Sequence, residues 1–227
     1  MKLQKLGGYS AFALVCTFIV LTIVIRFILP TVDSGGLADV MTVTLAAPGR
    51  FCLYNLVIMA FCIFFLITII ALHERMHTKV PYLSHIMLIA ASAFAAINIS
   101  GATISMLSIE TLAPAGDLSA FRACWTVTQG LGNAAHFAAA SACLFLGCAI
   151  LKSLSFSRLP GVFLVIQGSL GVIKLPLEFL VPIKPSFTII VGGILTIVFC
   201  IAFILMGIKM LRQENPEPAA IKMVTTE

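Results

Sequence analysis

Six stretches of the chain, 8–29, 51–72, 84–109, 123–151, 159–181 and 187–210, are apolar almost throughout, and the polar residues gather in the connections between them. Each stretch reaches the ~20 residues that a helix rising ~1.5 Å per residue needs to cross a ~30 Å hydrocarbon core. An unpaired backbone amide costs several kcal/mol in lipid, so spans this long and this free of alternation form helices, and a β-barrel is excluded. The pattern predicts an all-α polytopic membrane protein: a single six-transmembrane-helix bundle over residues 1–212, then a polar, proline-bearing tail, 213–227, expected to be flexible. Pro81, Pro160 and Pro185 fall at helix starts, where a missing amide hydrogen is tolerated.

Composition agrees: 60% of the residues are hydrophobic and 10% charged, with a mean hydropathy of +1.12, against roughly 25% charged in ordinary soluble domains. No room is left for a separate soluble domain. Lys2 and Lys5 before the first apolar run resemble a secretion signal, but the run exceeds the ~7–15 residues of a signal's core and no small-x-small site follows it directly, so it is expected to remain as the first helix.

The basic residues set the expected orientation. With both termini inside, the inner segments carry Lys2, Lys5, Arg75, Lys79, Lys152, Arg158, Lys209, Arg212 and Lys222, whereas the outer side carries Arg26, Arg50, Arg122, Lys174 and Lys184. This bias predicts N-in/C-in, and a multi-pass protein of the cytoplasmic (inner) membrane. The acidic residues Asp33, Asp39, Glu110, Asp117 and Glu178 balance the outer side. The net charge of +5 is therefore a topology signal and not a nucleic-acid signature.

Small residues should choose the helix contacts, because apolar side chains gain little from one another in lipid. The third and fourth stretches are rich in Ala, Gly and Ser and are expected to form the tightly packed centre. The first, second and sixth, rich in Phe, Ile, Leu and Val, are expected to face lipid more. Of seven cysteines, Cys16, Cys62, Cys143, Cys148 and Cys200 lie inside helices as small hydrophobes, and only Cys52 and Cys124 share the outer side where they could pair.

Polar residues inside the spans are the candidate site. Asn98 stands in the third stretch, and Gln129, Asn133 and His136 fall at i, i+4 and i+7 in the fourth, so one face carries all three. Such a stripe should turn to the bundle interior together with Asn98, either as interhelical hydrogen bonding or as a midplane ligand or proton site. In the fifth stretch Lys174 and Glu178 are four apart around Pro176, with Gln167 two turns below Lys174; an interfacial anchor is the simpler reading of that pair.

The second stretch ends in His73-Glu74-Arg75-Met76-His77, an H-E-x-x-H. On a helix this spacing presents two imidazoles to zinc and a glutamate to the metal-bound water. His85 is the one nearby candidate for a third ligand, while Arg75, Thr78, Lys79 and Pro81 place the motif in a basic exit loop. The reading is a solvated helix end with no metal or other cofactor; the alternative is a zinc peptidase using His73, Glu74, His77 and His85.

The runs Asn133-Ala134-Ala135-His136-Phe137, Cys143 to Ser153 and Arg158-Leu159-Pro160-Gly161 to Gly168 resemble a bacterial family of six-helix integral membrane proteins of unknown function, best over 133–173. The resemblance implies the fold and draws attention to His136, Gly147, Pro160 and Gly161; it carries no activity. The expectation is a non-enzymatic bundle that binds or moves a small apolar or amphipathic molecule within the bilayer, with a scaffold or accessory subunit as the alternative.

Overall fold

The computed structural model describes residues 3–24, 42, 44–180 and 185–212, and the side chains of 175–180 and 185–192 are not described. Over these residues every regular element is helical: α1 Leu3–Ile23, α2 Pro48–Met76, α3 Pro81–Leu107, α4 Leu118–Ser153, α5 Arg158–Leu180 and α6 Pro185–Arg212. A π-helical turn, Ser108–Leu112, and a short helix, Ala113–Ala115, continue α3 to the left-handed Gly116. Five helical segments are long and apolar enough to cross a membrane: Leu3–Ile23, Pro48–Met76, Pro81–Ala115, Leu118–Ser153 and Gly193–Arg212. The protein is a multi-pass, all-helical membrane protein. The connection 30–50, apart from its last residues, and the tail 213–227 lie outside the described residues.

Most helices extend a few residues past the apolar stretches that announce them. Hydropathy marks only the part meant for hydrocarbon, whereas helical hydrogen bonding continues through the polar turns. Thus α2 runs on to Met76 and takes in most of the H-E-x-x-H, and Pro48 and Pro81 open α2 and α3 in their first turns. Asp117 caps α4 by accepting the Ala120 amide at 3.0 Å. The Ala120 amide, with help from Ser119, holds the Asp117 carboxyl below the usual range.

Consecutive helices pack on one another and α6 returns against α1, closing a ring. Neighbours run antiparallel: Gly7 meets Ala71, Gly8 meets Leu211, and Asn55 donates to Ser105 Oγ at 3.3 Å. One end of the ring, carrying Arg75, Lys79, Lys152, Arg158, Lys209 and Arg212, is the basic end.

One packing expectation is corrected. The phenylalanines of α1, α2 and α6 do not simply face lipid: Phe65, Phe199 and Phe203 are buried, and with Phe18, Phe61 and α3's Phe94 they form a chain of ring contacts 4.4 to 6.3 Å apart. Lipid and protein core are equally apolar, so sequence hydrophobicity does not separate the two faces. The expected packing of α3 on α4 is found, and it is the most extensive of any helix pair. The approach of α4 to α5 is also close: a Cβ on Gly147 would sit 2.7 Å from the Gly161 carbonyl oxygen, one on Gly168 would sit 2.6 Å from Leu144 Cα, and one on Gly171 would sit 2.7 Å from Ala140 Cβ. Against α3, by contrast, Gly101 leaves an ordinary 3.6 Å to Leu131. Gly147 faces Gly161, whereas Gly168 faces Leu144 and Gly171 faces Ala140, and one chain read alone does not pair them.

All seven cysteines are free, Cys52 and Cys124 included.

Candidate functional site

The site follows from which rows of α4 are covered. Residues seven apart share a face of a helix. Row 133, 140, 147 places Asn133 above Ala140 and Gly147, both of which press on α5. Row 129, 136, 143, 150 places Gln129 and His136 above the buried Cys143 and Ile150. The opposite side of the helix carries Val127, Ala134 and Phe137, which are exposed as a lipid-facing surface would be. The polar stripe therefore stands on the α5-facing and core-facing side of α4. Even so, Gln129, Asn133 and His136 are all exposed, and among the described residues nothing lies within 4 Å of a Cβ added to Gly130 or Gly132 beside them.

Asn98 is the candidate residue on α3. It lies one turn beyond Phe94 and seven residues from the buried Ala91, on the face that meets the core. Gly101 against Leu131, and Lys79 donating to the Ser153 carbonyl at 3.5 Å, fix an antiparallel register that sets Asn98 level with Ala134. Asn98 is nevertheless only half-buried, and among the described residues it has no hydrogen-bond partner. The expected closure of the stripe by hydrogen bonds to Asn98 is thus corrected: α3 packs on α4 through the Leu131 and Ala135 side, and the stripe is turned away from that contact. Tight approach of α3 and α4 does not seal polar groups that lie on another side of α4.

On α5, Gln167 and Lys174 are also seven apart. Gln167 is half-buried with Oε1 closed off from solvent and without a hydrogen-bond partner, and Lys174 is exposed. Glu178 is within α5, but its side chain lies outside the described residues. Asn98, Asn133 and His136 stand at about one level on α3 and α4, with Gln129 about two turns from His136 toward the start of α4, Lys174 on the neighbouring helix and Gln167 about two turns deeper along the seam. Phe18, Phe61 and Phe199 lie within 6.3 Å of one another, and Phe65, Phe94 and Phe203 continue the ring contacts toward the basic end. Amide and imidazole groups are thus carried by α3 and α4, and phenyl rings by α1, α2, α3 and α6. The one tryptophan of the chain, Trp125, lies one turn beyond Gln129, half-buried and stacked on Phe121 at 6.1 Å.

The H-E-x-x-H sits at the other end of the ring, with Glu74, Thr78, Lys79 and His85 exposed and His73 packed against the next helix. His73 is half-buried against α3, with Nδ1 2.6 Å from Ser84 Oγ and 3.2 Å from the Ser84 carbonyl. His77 Nδ1 is 2.8 Å from the Glu74 carbonyl, and His85 Nδ1 is 2.7 Å from that of Pro81. A carbonyl only accepts, so both Nδ1 atoms carry the proton and donate. The His73 ring centre lies 5.7 Å from that of His77 and 4.9 Å from that of His85. Among the described residues no three His, Cys, Asp or Glu side chains are arranged to hold a metal ion, and Glu74 is exposed. Proximity of three imidazoles is present; convergence of donors on one point is not, and a zinc hydrolase needs the latter.

Two contacts here had little signal in the sequence. Asn55, buried in α2, donates to the Phe51 carbonyl at 3.0 Å and to Ser105; a lone polar residue in an apolar span is the hint. Phe156, in the loop after α4, is buried beneath Arg75; an aromatic residue among serines is the hint there.

Comparison of the chain with protein-family models, with characterised proteins and with solved structures found no match.

Proposed function

We propose that this protein binds a small amphipathic molecule in the chamber between α3, α4 and α5, and that it does so as a six-span bundle with the basic end in the cytoplasm and the chamber opening to the opposite side. The observation that carries the reading is the exposure of Gln129, Asn133 and His136 on the side of α4 that is otherwise buried. Polar side chains within a membrane span are costly against lipid, and here they stand on the core-facing rows while Val127, Ala134 and Phe137 take the lipid side. A water-filled or ligand-filled space is the arrangement that accounts for both. Amide and imidazole groups suit a hydrogen-bonding head group, and the phenyl rings of Phe18, Phe61 and Phe199 suit an apolar body. α5 supplies the sixth span, and the bias of basic residues toward one end supports the orientation.

Trp125 gives the test its readout. Titrating purified protein with a medium-chain fatty acid, and separately with a medium-chain amine, should shift Trp125 emission saturably with at least one of the two. Asn133→Leu, which keeps the side-chain size, should abolish that response while leaving the melting temperature intact. A response that never saturates, or that survives Asn133→Leu unchanged, would defeat the proposal.

A further inference from the structure

At the basic end, two cations from different helices flank one aromatic ring, and a third meets the loop that carries the ring. Arg75, at the end of α2, places its guanidinium 4.6 Å from the centre of the Phe156 ring, and Lys209 of α6 places its ammonium 5.5 Å from the same centre. Arg75 and Lys79 are both close enough to Lys209 to repel it electrostatically. The loop after α4 faces them with backbone: Arg75 donates to the Ser155 carbonyl at 3.3 Å and Lys79 to the Ser153 carbonyl at 3.5 Å. Among the described residues none of the three pairs with a carboxylate. Glu74, next in sequence to Arg75, is exposed and engages His77 only through its carbonyl oxygen.

The loop is built to hold this arrangement. Leu154 takes the left-handed conformation at φ 52°, which turns the chain out of α4, and Ser153 Oγ accepts the Ser155 amide at 3.3 Å. Ser155 is 7% exposed and Phe156 is 4% exposed. The Ser155 hydroxyl is buried and has no hydrogen-bond partner. Rotation about its one side-chain torsion turns that donor without moving the backbone. Three cations that no described carboxylate neutralises, brought together at one end of the bundle, repel one another unless an anion joins them, and a buried hydroxyl without a partner costs free energy until an acceptor reaches it.

We infer that Arg75, Lys79 and Lys209, arranged round Phe156 and the 153–156 loop, bind a phosphate group, carried either on an anionic phospholipid headgroup or free in solution. A phosphate offers several acceptor oxygens to the guanidinium, the two ammonium groups and the Ser155 hydroxyl, and it neutralises the repulsion among the cations. The site joins α2, the α4–α5 loop and α6, so occupancy ties together helices that are not consecutive in the chain.

The test compares melting temperatures of the purified full-length protein in nanodiscs of phosphatidylcholine alone, in nanodiscs containing phosphatidylglycerol, and in phosphatidylcholine nanodiscs with millimolar inorganic phosphate. A rise with phosphatidylglycerol only identifies the headgroup; a rise with both identifies phosphate in general. Lys209→Gln and Lys79→Gln should each remove most of the rise. Lys152→Gln, which deletes an exposed charge at the same end outside the cluster, should keep it. Native mass spectrometry gives a second reading should a variant lose stability: phosphatidylglycerol retained by the wild type and by Lys152→Gln should be absent from Lys209→Gln. No rise with either additive, or an equal loss in Lys152→Gln, would overturn the inference.

Discussion

Between residues 140 and 151 the α5-facing side of α4 is in close contact with α5, and between 129 and 136 the same side carries the exposed side chains of Gln129, Asn133 and His136. The lower part is Ala140, Leu144, Gly147 and Leu151 meeting Gly171, Gly168 and Gly161; the upper part is His136, Asn133 and Gln129. The two parts lie on one continuous helix and differ only in side chains. Where one helix or the other offers a hydrogen atom in place of a side chain, the axes approach and dispersion contacts hold them. Where α4 offers amides and an imidazole, full closure would bury several donors and acceptors at once, and the seam stops. Glycine and polar side chains thus divide one interface into a hinge-like clamp and a chamber.

The largest expected effect comes from putting side chains into the clamp. Gly168→Val introduces atoms where even a Cβ lies 2.6 Å from Leu144 Cα; overpacking of this kind costs roughly 1–3 kcal/mol or more. A clear drop in melting temperature in detergent is expected. Gly132→Ala is the counterpart in the open part, where among the described residues nothing lies within 4 Å, and it should be neutral or raise stability by up to ~1 kcal/mol through helix propensity. Equal losses in the two variants would erase the distinction between clamp and chamber.

A smaller effect is expected at the basic end, where polar contacts add to close glycine packing. Ser84→Ala removes the hydroxyl 2.6 Å from His73 Nδ1, a loss of about 1 kcal/mol for a hydrogen bond of this type. Chemical denaturation of the variant should report that loss while Trp125 emission in the folded state stays unchanged, because the chamber lies at the other end.

The smallest effect is acidic fraying at the start of α4. Asp117 has its carboxyl held low by the Ala120 amide and Ser119. A carboxyl lowered by folding contributes stability that is present above its unfolded pKa and disappears as the pH falls through its folded pKa. Amide exchange at Ala120 should accordingly be slow at neutral pH and accelerate, beyond its intrinsic pH trend, below about pH 4. In Asp117→Asn that acid-specific acceleration should vanish.

Much of this architecture is legible in the chain. Apolar runs of helical length place the helices, Pro48 and Pro81 mark two of their starts, and the spacing of Gln129, Asn133 and His136 puts them on one face. Other features are not legible, for physical reasons. The phenyl rings of Phe65 and Phe203 are core while Phe137 is exposed, and hydropathy does not distinguish them because lipid and core are both apolar. Gly147 and Gly168 matter because of what stands opposite, and Gly132 does not, although all three read alike in one dimension. His73 looked like a metal ligand or a solvated end; its actual partner, Ser84, belongs to the next helix and has no motif to announce it.

The central claim is that the polar side of α4 lines an open chamber while its other side meets lipid. It is tested most directly with single cysteines in a background lacking the seven native ones, placed at Asn133 and at Ala134 and treated in nanodiscs with a charged, water-soluble thiol reagent. Adjacent positions share depth and differ only in face. The account predicts fast modification at 133 and little at 134; protection at 133, or faster reaction at 134, would contradict it.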